Sequence, residues 1–516
     1  MGRFYVTTPI YYINAEPHIG HTYTTILADT LARFHQARGD ETFMVTGTDE
    51  HGDKIAAAAS AAGLAPAAYA DRISPIFRTT WDQCGIRYDH FVRTSDPQHV
   101  QVVQEFLTHV HANGDVYFSR YGGLYCTGCE RFLTEKELVG GKCPDHLTVP
   151  TLIEEDNYFF RMTKYFDRIV AHLEAHPETI VPDHYRNEVL AVLRSGGLGD
   201  LCISRPKSRL GWGIELPFDR NYVVYVWFDA LISYVSALKA HGEGTFNSLW
   251  PTCHHLIAKD ILKPHAIFWP AMLMAAGLPL YKRLCVHGYW MRGESKMSKS
   301  LGNVIRPLDM KARYGIDAFR YFLLREMAFG QDAVFTEDAF SARVNADLAN
   351  NLGNLVSRVL SMQHRYFDGV VQPLGAMTDD DRGLVDAFAA AFREVPELTS
   401  ALAFHRALEA LWRAIDHANK YVVVTAPFTL AKDPTARPRV GAILHHLLES
   451  LRAAAELLAW CLPETSARIF DLLRLTPPTT VSDRLDWGTH FGSGHTVARS
   501  VVLFPRIDVD EAAKPT

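Results

Sequence analysis

Two imidazoles, His18 and His21, flank Gly20 where a strand-like run gives way to a helical pattern. Helix amino termini carry unsatisfied N–H groups and a partial positive charge, which suits a phosphate, and imidazoles can donate to phosphoryl oxygens as charge develops there. Gly20 has no side chain to hold a nucleotide away from the backbone. A histidine-containing helix start with no ligand is the plainer reading, since so short a motif also arises by chance. A second cluster sharpens the choice. Gly293-Glu-Ser-Lys296-Met-Ser298-Lys299-Ser-Leu-Gly302 sets two lysines among serines between glycines. Such a cationic loop can close over a polyphosphate, although alone it would be a solvated turn.

Cys126-Thr-Gly-Cys129 and, thirteen residues on, Cys143-Pro-Asp-His146 form two short-spaced ligand pairs. Three thiolates and one imidazole on knuckle turns predict a closed, structural zinc site, with a reduced cluster lacking metal as the alternative. Cys84, Cys202, Cys253, Cys285 and Cys461 are scattered singly and read as reduced core thiols. Asp49 and His51 lie in Thr48-Asp-Glu-His-Gly52, just past a buried strand, where open α/β sheets bind ligands. On spacing alone, an N-cap aspartate beside a solvated histidine explains that pair as well.

These groups need a scaffold, and the apolar pattern supplies one. Arg3 to Thr8 is β-branched and aromatic, Pro9 and Asn14 to Pro17 stop it, and Tyr23, Ile26, Leu27, Leu31 and Phe34 then recur at helical steps up to Gly39. Glu41 to Gly47 reads as a second strand, followed by an alanine-rich helix through Ala62, and a strand near Asp115 to Phe118 is expected to close the first half of the sheet. After a turn-rich segment with strands at Tyr158 to Met162 and around Trp212 to Leu216, the alternation resumes. Asn221 to Phe228, His254 to Ala258 and Arg283 to Gly288 read as strands, with helices over Asp229 to Leu238 and Asp260 to Ala276. The pattern predicts an α/β fold, a doubly wound parallel (Rossmann-like) sheet split by a zinc-containing insertion. Beyond it Leu402 to Tyr421 and Ile443, Leu447, Leu451 and Leu458 mark a helix bundle.

Composition narrows the class. With 48% hydrophobic and 21% charged residues the chain resembles a soluble globular protein, long enough for two to four domains. A net charge of −6 excludes a globally basic nucleic-acid coat but not a local basic groove. Residues 1 to 20 lack a signal peptide, and Pro270 and Pro279 cut the longest apolar run, so a cytosolic protein without membrane contact is expected.

His18-Ile-Gly-His21 and Lys296-Met-Ser-Lys-Ser300 together resemble the two signature motifs of class I aminoacyl-tRNA synthetases. Thr7-Thr-Pro-Ile-Tyr-Tyr-Ile-Asn, Gly47-Thr-Asp-Glu-His-Gly52, Val226-Trp-Phe-Asp-Ala230 and Phe268-Trp-Pro-Ala-Met-Leu273 resemble the methionyl-tRNA synthetases, of the bacterial type with a single zinc knuckle. The similarity runs from about Phe4 to Arg358 and more loosely beyond. It implies two steps, methionyl-adenylate formation from L-methionine and ATP with release of pyrophosphate, then transfer to the 3′ end of tRNA(Met), including the initiator.

The resemblance also assigns residues. His18 and His21, with Gly20 admitting the nucleotide, would stabilise the reacting α-phosphate, while Lys299 and secondarily Lys296, in a loop with Ser298, would bind the leaving pyrophosphate with Mg2+ on the phosphates. Asp260 would reach the ribose, although Ala258 replaces the glycine of the family's Gly-Lys-Asp motif. Asp49 would take the α-amino group, and Ile10, Tyr12, Trp227, Ala230, Tyr234, Ile261, His265 and Trp269 would surround the thioether. Tyr12 and His265 are candidates for a polar contact to sulfur, because an apolar pocket alone distinguishes one methylene by only about 1–3 kcal/mol. Read without the family, Ile261, His265 and Trp269 are a core stripe at i, i+4 and i+8.

Asn350, Asn354 and Arg358 match the family's anticodon-reading helix, and Phe428 stands where the family has a base-stacking tryptophan. The implied domains are 1–118 and 223–290 for the two halves of the catalytic domain and 119–222 for the insertion. A connecting segment with the lysine loop covers 291–343, and an α-helical anticodon-binding domain covers 344–516. The polar end of the chain reads as a disordered tail with no dimerisation module after it, so a monomer is expected. The insertion is too short for the editing domain of the valine, isoleucine and leucine enzymes. Another class I synthetase, a small nucleotidyltransferase and a silent tRNA-binding paralogue are the rivals. Zinc cluster, helical domain and pocket residues weigh against the first two, and the intact histidine and lysine motifs against the third.

Overall fold

The computed structural model describes residues 2–126, 131–133, 135, 138–144, 147–292, 295–296 and 304–508. Its contacts define two compact units, one of Arg3–Ala28 and Thr42–His287, the other of Met1–Gly2, Asp29–Glu41 and Gly288–Thr516.

The first unit is built on a six-stranded sheet in the order His90–Arg93, Glu41–Asp49, Arg3–Tyr12, Cys253–Ala258, Arg283–His287, Ile180–Val181. Arg3–Tyr12 is buried along almost its whole length and continues through Pro9 rather than stopping at Thr8; Pro9 lies past Tyr5 to Thr7, the positions paired with Cys253 to His255. Thr7 pairs with His255, Ala258 with His287 and Thr48 with Arg93, all in parallel register. The chain order reverses between Arg3–Tyr12 and Cys253–Ala258, and the crevice at the carboxyl ends of such a pair is where a doubly wound sheet takes its ligand. Helix Ile19–Ala37 leaves that edge immediately after the first strand. Gly47 cannot carry a side chain, since a Cβ there would fall 2.0 Å from the Val92 carbonyl oxygen.

Three further expectations change. The strand expected at Asp115 to Phe118 is the start of Val116–Cys126, in a separate four-stranded antiparallel sheet with Arg131–Leu133, Thr151–Phe160 and Leu201–Cys202. The main sheet uses His90–Arg93 in that place, four residues too short to show a period. The strand expected over Asn221 to Phe228 is Asp219–Val224, in a small antiparallel sheet with Ser204–Pro206 and Glu215–Leu216, and Val226–Lys239 is already helix. Between these small sheets the chain returns a two-residue strand, Ile180–Val181, to the edge of the main sheet. Finally, Asp260 to Ala276 is not one helix. It is a 3-10 turn at Lys259–Ile261, a π-helical turn at Pro264–Phe268 and an α-helix from Trp269–Ala275, because Pro264 and Pro270 lack the N–H groups a continuous ladder needs.

The second unit is mainly helical, with Asp379–Ser400, Phe404–Thr425 and Arg437–Leu458 as its long members. Ile443, Leu447, Leu451 and Leu458 are all buried, as their spacing predicts. Thr378 and Asp381 form a capping box at the start of Asp379–Ser400. Arg320 is fully buried, 2.7 Å from Asp29, and its Nε–H donates to the Cys461 carbonyl. Leu402, expected to open the second helical stripe, stands at φ 60 ahead of it, and the helix begins only at Phe404. Among the described residues no helix is long and apolar enough to cross a membrane.

Candidate active site

His18 and His21 stack at the amino terminus of Ile19–Ala37, their ring centroids 3.9 Å apart and their planes inclined by 26°. The Gly20 N–H donates to His18 Nδ1 at 3.1 Å and the His18 N–H to His21 Nδ1 at 3.3 Å. With both Nδ1 atoms accepting, the neutral rings carry their protons on Nε2, a donor of the kind a phosphoryl oxygen takes. A Cβ on Gly20 would lie 3.0 Å from His18 Cε1, so glycine preserves the position of that ring. Tyr11 ties this corner to the first strand: its ring lies 4.9 Å from His21 and its hydroxyl donates to the His21 carbonyl at 3.1 Å.

On either side of Tyr11, Ile10 joins a cluster that also takes Ala230, Tyr234 and Trp269, and Tyr12 packs against it with Trp227 and Ile261. Every thioether-pocket residue expected from sequence lies in this one unit. Tyr234 centres the set, with ring centroids 5.7 Å from His265 and 6.2 Å from Trp269. His265 is buried, which pushes its pKa down to about 4 and keeps the imidazole neutral. Its Nδ1 lies 2.9 Å from the Ile261 carbonyl oxygen and therefore bears the proton, so Nε2 accepts from the Tyr234 hydroxyl at 2.7 Å. Both nitrogens of His265 are thereby committed within the protein. Asp49 is the last residue of Glu41–Asp49, is buried, and is near enough to Tyr234 to help burial raise the phenol pKa. It is not an N-cap, because the next helix starts at Asp53 behind Gly52.

His51 is not solvated. Its Nδ1 lies 2.6 Å from Asp229 Oδ2, and His99 Nε2 lies 2.7 Å from Asp229 Oδ1, with all three side chains buried. Burial acts to raise the Asp229 pKa, but the two imidazoles outweigh it and hold the carboxylate below its ordinary value. Trp212 closes over this group, its Nε1–H donating to the Glu50 carbonyl at 2.5 Å. Asp229 stands inside the quoted Val226 to Ala230 motif, but His99 carries no signal in sequence, since it is an isolated histidine on helix Pro97–Ala112.

The sequence profile of the class I tRNA synthetases (M) matches residues 4–149 and 146–360. The methionine–tRNA ligase of Caldanaerobacter subterraneus subsp. tengcongensis is 43% identical over 510 residues, which cover 98% of this chain and 79% of that protein. The Streptomyces coelicolor methionine–tRNA ligase is 40% identical, covering 99% of this chain and 98% of that one. The chain belongs to the methionyl-tRNA synthetase family. As a member it is a methionine–tRNA ligase, a class I aminoacyl-tRNA synthetase. The fold agrees: the solved Mycobacterium tuberculosis methionyl-tRNA synthetase in complex with methionyl-adenylate superposes with a TM-score of 0.92 at 40% identity, covering 98% of this chain and 100% of that one.

Other residues expected from the methionyl-tRNA synthetase resemblance are placed as follows. Asp260 is exposed, just past the carboxyl end of Cys253–Ala258. Ala258 sits at φ −82 and ψ 155, extended backbone open to any residue, so replacing the family's glycine brings no strain. Lys296 ends a short strand, Ser295–Lys296, paired with Trp290–Arg292. Ser298, Lys299, Cys129 and His146 lie outside the described residues, as does the tail from residue 509. Cys126 and Cys143 are buried in one small cluster with Leu133, and among the described residues no group of three or more His, Cys, Asp or Glu side chains is arranged to hold a metal. Cys84, Cys202, Cys253, Cys285 and Cys461 are buried thiols, as expected. Asn350 and Asn354 are exposed and Arg358 half-buried, but the helix passes from a π-helical turn over Val344–Gly353 to α-helix at Asn354–Phe367. Phe428 is exposed on the short helix Pro427–Leu430, near Val423 and Val424 in sequence, which are exposed too.

Proposed function

We propose that the chain activates L-methionine with ATP in the crevice at the carboxyl edge of the six-stranded sheet and passes the methionyl group to tRNA(Met), the initiator included. The observation that carries the residue assignment is the stacked His18–His21 pair, joined through Tyr11 to the Ile10 and Tyr12 end of the pocket. Attack of the methionine carboxylate on the α-phosphate builds negative charge on phosphoryl oxygens, so positioned Nε2–H donors lower the barrier electrostatically. Asp49 offers a buried carboxylate to the α-ammonium group, and the apolar and aromatic residues around Tyr234 exclude water from the thioether. Asp260 takes the ribose, Lys299 and Lys296 the leaving pyrophosphate, and Mg2+ enters with the ATP phosphates.

Cys126, Cys129, Cys143 and His146 would hold one zinc ion. The burial of Cys126 and Cys143 in a single cluster supports this, because thiolates kept from water suit a soft, structural metal. When bound, the zinc would supply folding free energy to the knuckle rather than chemistry. The anticodon is read by Asn350, Asn354, Arg358 and Phe428, in a monomer acting in the cytosol.

ATP–pyrophosphate exchange tests the reading, with methionine against leucine, isoleucine, valine and cysteine, on the wild type, His21→Ala and Lys299→Ala. Exchange is expected with methionine alone and should fall about 10²–10³-fold in either variant. Exchange supported by another amino acid would overturn the pocket assignment, and none with any would leave a tRNA-binding protein without activation chemistry.

A further inference from the structure

His255 is fully buried on the strand Cys253–Ala258, beneath the pocket, where no motif marks it. Its Nδ1 lies 2.8 Å from Thr7 Oγ1, the residue opposite it in the parallel register. On the other side the Trp269 Nε1–H points at Nε2, 3.2 Å away. An indole nitrogen only donates, so Nε2 must accept, and burial holds the imidazole neutral. One tautomer satisfies all of this: the proton sits on Nδ1 and is donated to Thr7. The ring is further held by Tyr234 at 4.4 Å and Tyr281 at 4.9 Å. A leucine would fill this apolar site without the desolvation cost of an imidazole, so shape alone does not call for histidine. What histidine adds is a fixed acceptor for the Trp269 indole.

We propose that His255 is a positioning residue for amino-acid selection, pinning the Trp269 indole so that the wall of the pocket admits a side chain of methionine's length. The proposal rests on the assignment of Trp269 to the methionine pocket. Trp269 is fully buried and touches Tyr234, whose hydroxyl is fixed in turn by His265. Thr7, His255, Trp269, Tyr234 and His265 therefore form a hydrogen-bonded and ring-packed chain from the central strand to the pocket. Rotation of the indole would change the depth available to a ligand, and one methylene is the increment such a pocket resolves.

The test measures KM for methionine and for ethionine, one methylene longer, in ATP–pyrophosphate exchange. The variants are His255→Gln, His255→Asn and Trp269→Phe, each checked by thermal melting. Glutamine places its amide where Nε2 stands and can still accept from Trp269, whereas asparagine reaches only toward Thr7. His255→Gln should stay within about threefold of wild type, while His255→Asn should raise methionine KM about tenfold, leave ATP KM within about twofold and narrow the methionine-over-ethionine preference. A role confined to holding the strands together would reverse the order of the two variants, and that result, equal effects in both, or KM for methionine and ATP rising together would overturn the proposal. Should the asparagine variant not fold, His255→Gln decides: near-wild-type selectivity supports the assignment and a tenfold loss overturns it. If Trp269→Phe leaves methionine KM unchanged, the pocket assignment itself fails and takes the proposal with it.

Discussion

The Asp229 carboxylate lies 2.6 Å from His51 Nδ1, so the first turn of Val226–Lys239 is tied to the loop that follows Asp49. Asp229 Oδ1 extends the tie to His99. Removing the carboxylate in Asp229→Ala would leave two buried imidazole nitrogens without an acceptor, for a loss on the order of 3 kcal/mol in denaturant unfolding and a higher methionine KM. Because the folded-state pKa is depressed, the ionised bridge contributes fully above the ordinary carboxylate value and is lost as pH falls below that value and through the lower folded-state pKa. A variant as stable as wild type would refute the clasp.

The pH dependence of methionine binding follows from His265. Its pKa, about 4, lies below the unfolded-state value, so its neutral form contributes fully above about pH 6.5 and that contribution fades as pH falls toward 4. Methionine KM should therefore vary less than about twofold between roughly pH 6.5 and 8.5. A titration step in KM near neutrality that disappears in His265→Gln would show the ring to be protonated in use.

Ala258 tolerates its position without strain, since its backbone is extended. Ala258→Gly should leave the KM for ATP within about twofold and lower stability by about 0.5–1 kcal/mol through the added freedom of the unfolded chain. A marked fall in ATP KM would mean instead that the methyl group obstructs the nucleotide.

Phe428 presents an exposed ring suited to stacking on a base. Stacking is worth about 1–3 kcal/mol per base, so Phe428→Ala should raise the aminoacylation KM for tRNA about tenfold or more and leave tRNA-independent pyrophosphate exchange untouched. Phe428→Trp should lower it. Equal KM in all three proteins would remove Phe428 from the anticodon site.

Tyr125, next to Cys126, donates its hydroxyl to Asp53 at 2.9 Å, and Arg209 lies 3.1 Å from the same carboxylate oxygen. Asp53 opens the helix after the Asp49 to Gly52 loop. Metal analysis should find one zinc per chain, and chelation should lower the melting temperature and raise methionine KM through this contact. A protein purified without zinc yet equally stable would refute the site.

Some of this was legible in the residues alone. A central parallel strand is buried on both faces, so Arg3 to Thr8 and His254 to Ala258 showed as strands, though not the extension of the first through Pro9 to Tyr12, and the helix of Ile19–Ala37 showed by its period. Motifs contiguous in the chain, such as His18 to His21 and Asp49 to Gly52, were equally visible because local backbone geometry holds them together. Strand partners were not legible. Val116–Cys126 and Asp219–Val224 have good strand patterns, but pairing is set by contacts distant in sequence, which put them in separate antiparallel sheets. Pro264 and Pro270 were readable, but not the π-helical turn that accommodates them. Asp229 with His51 and His99, and His255 between Thr7 and Trp269, had to await the fold. An isolated buried histidine looks like any other in a sequence, and only its partners across 130 to 248 positions decide its tautomer and so its role.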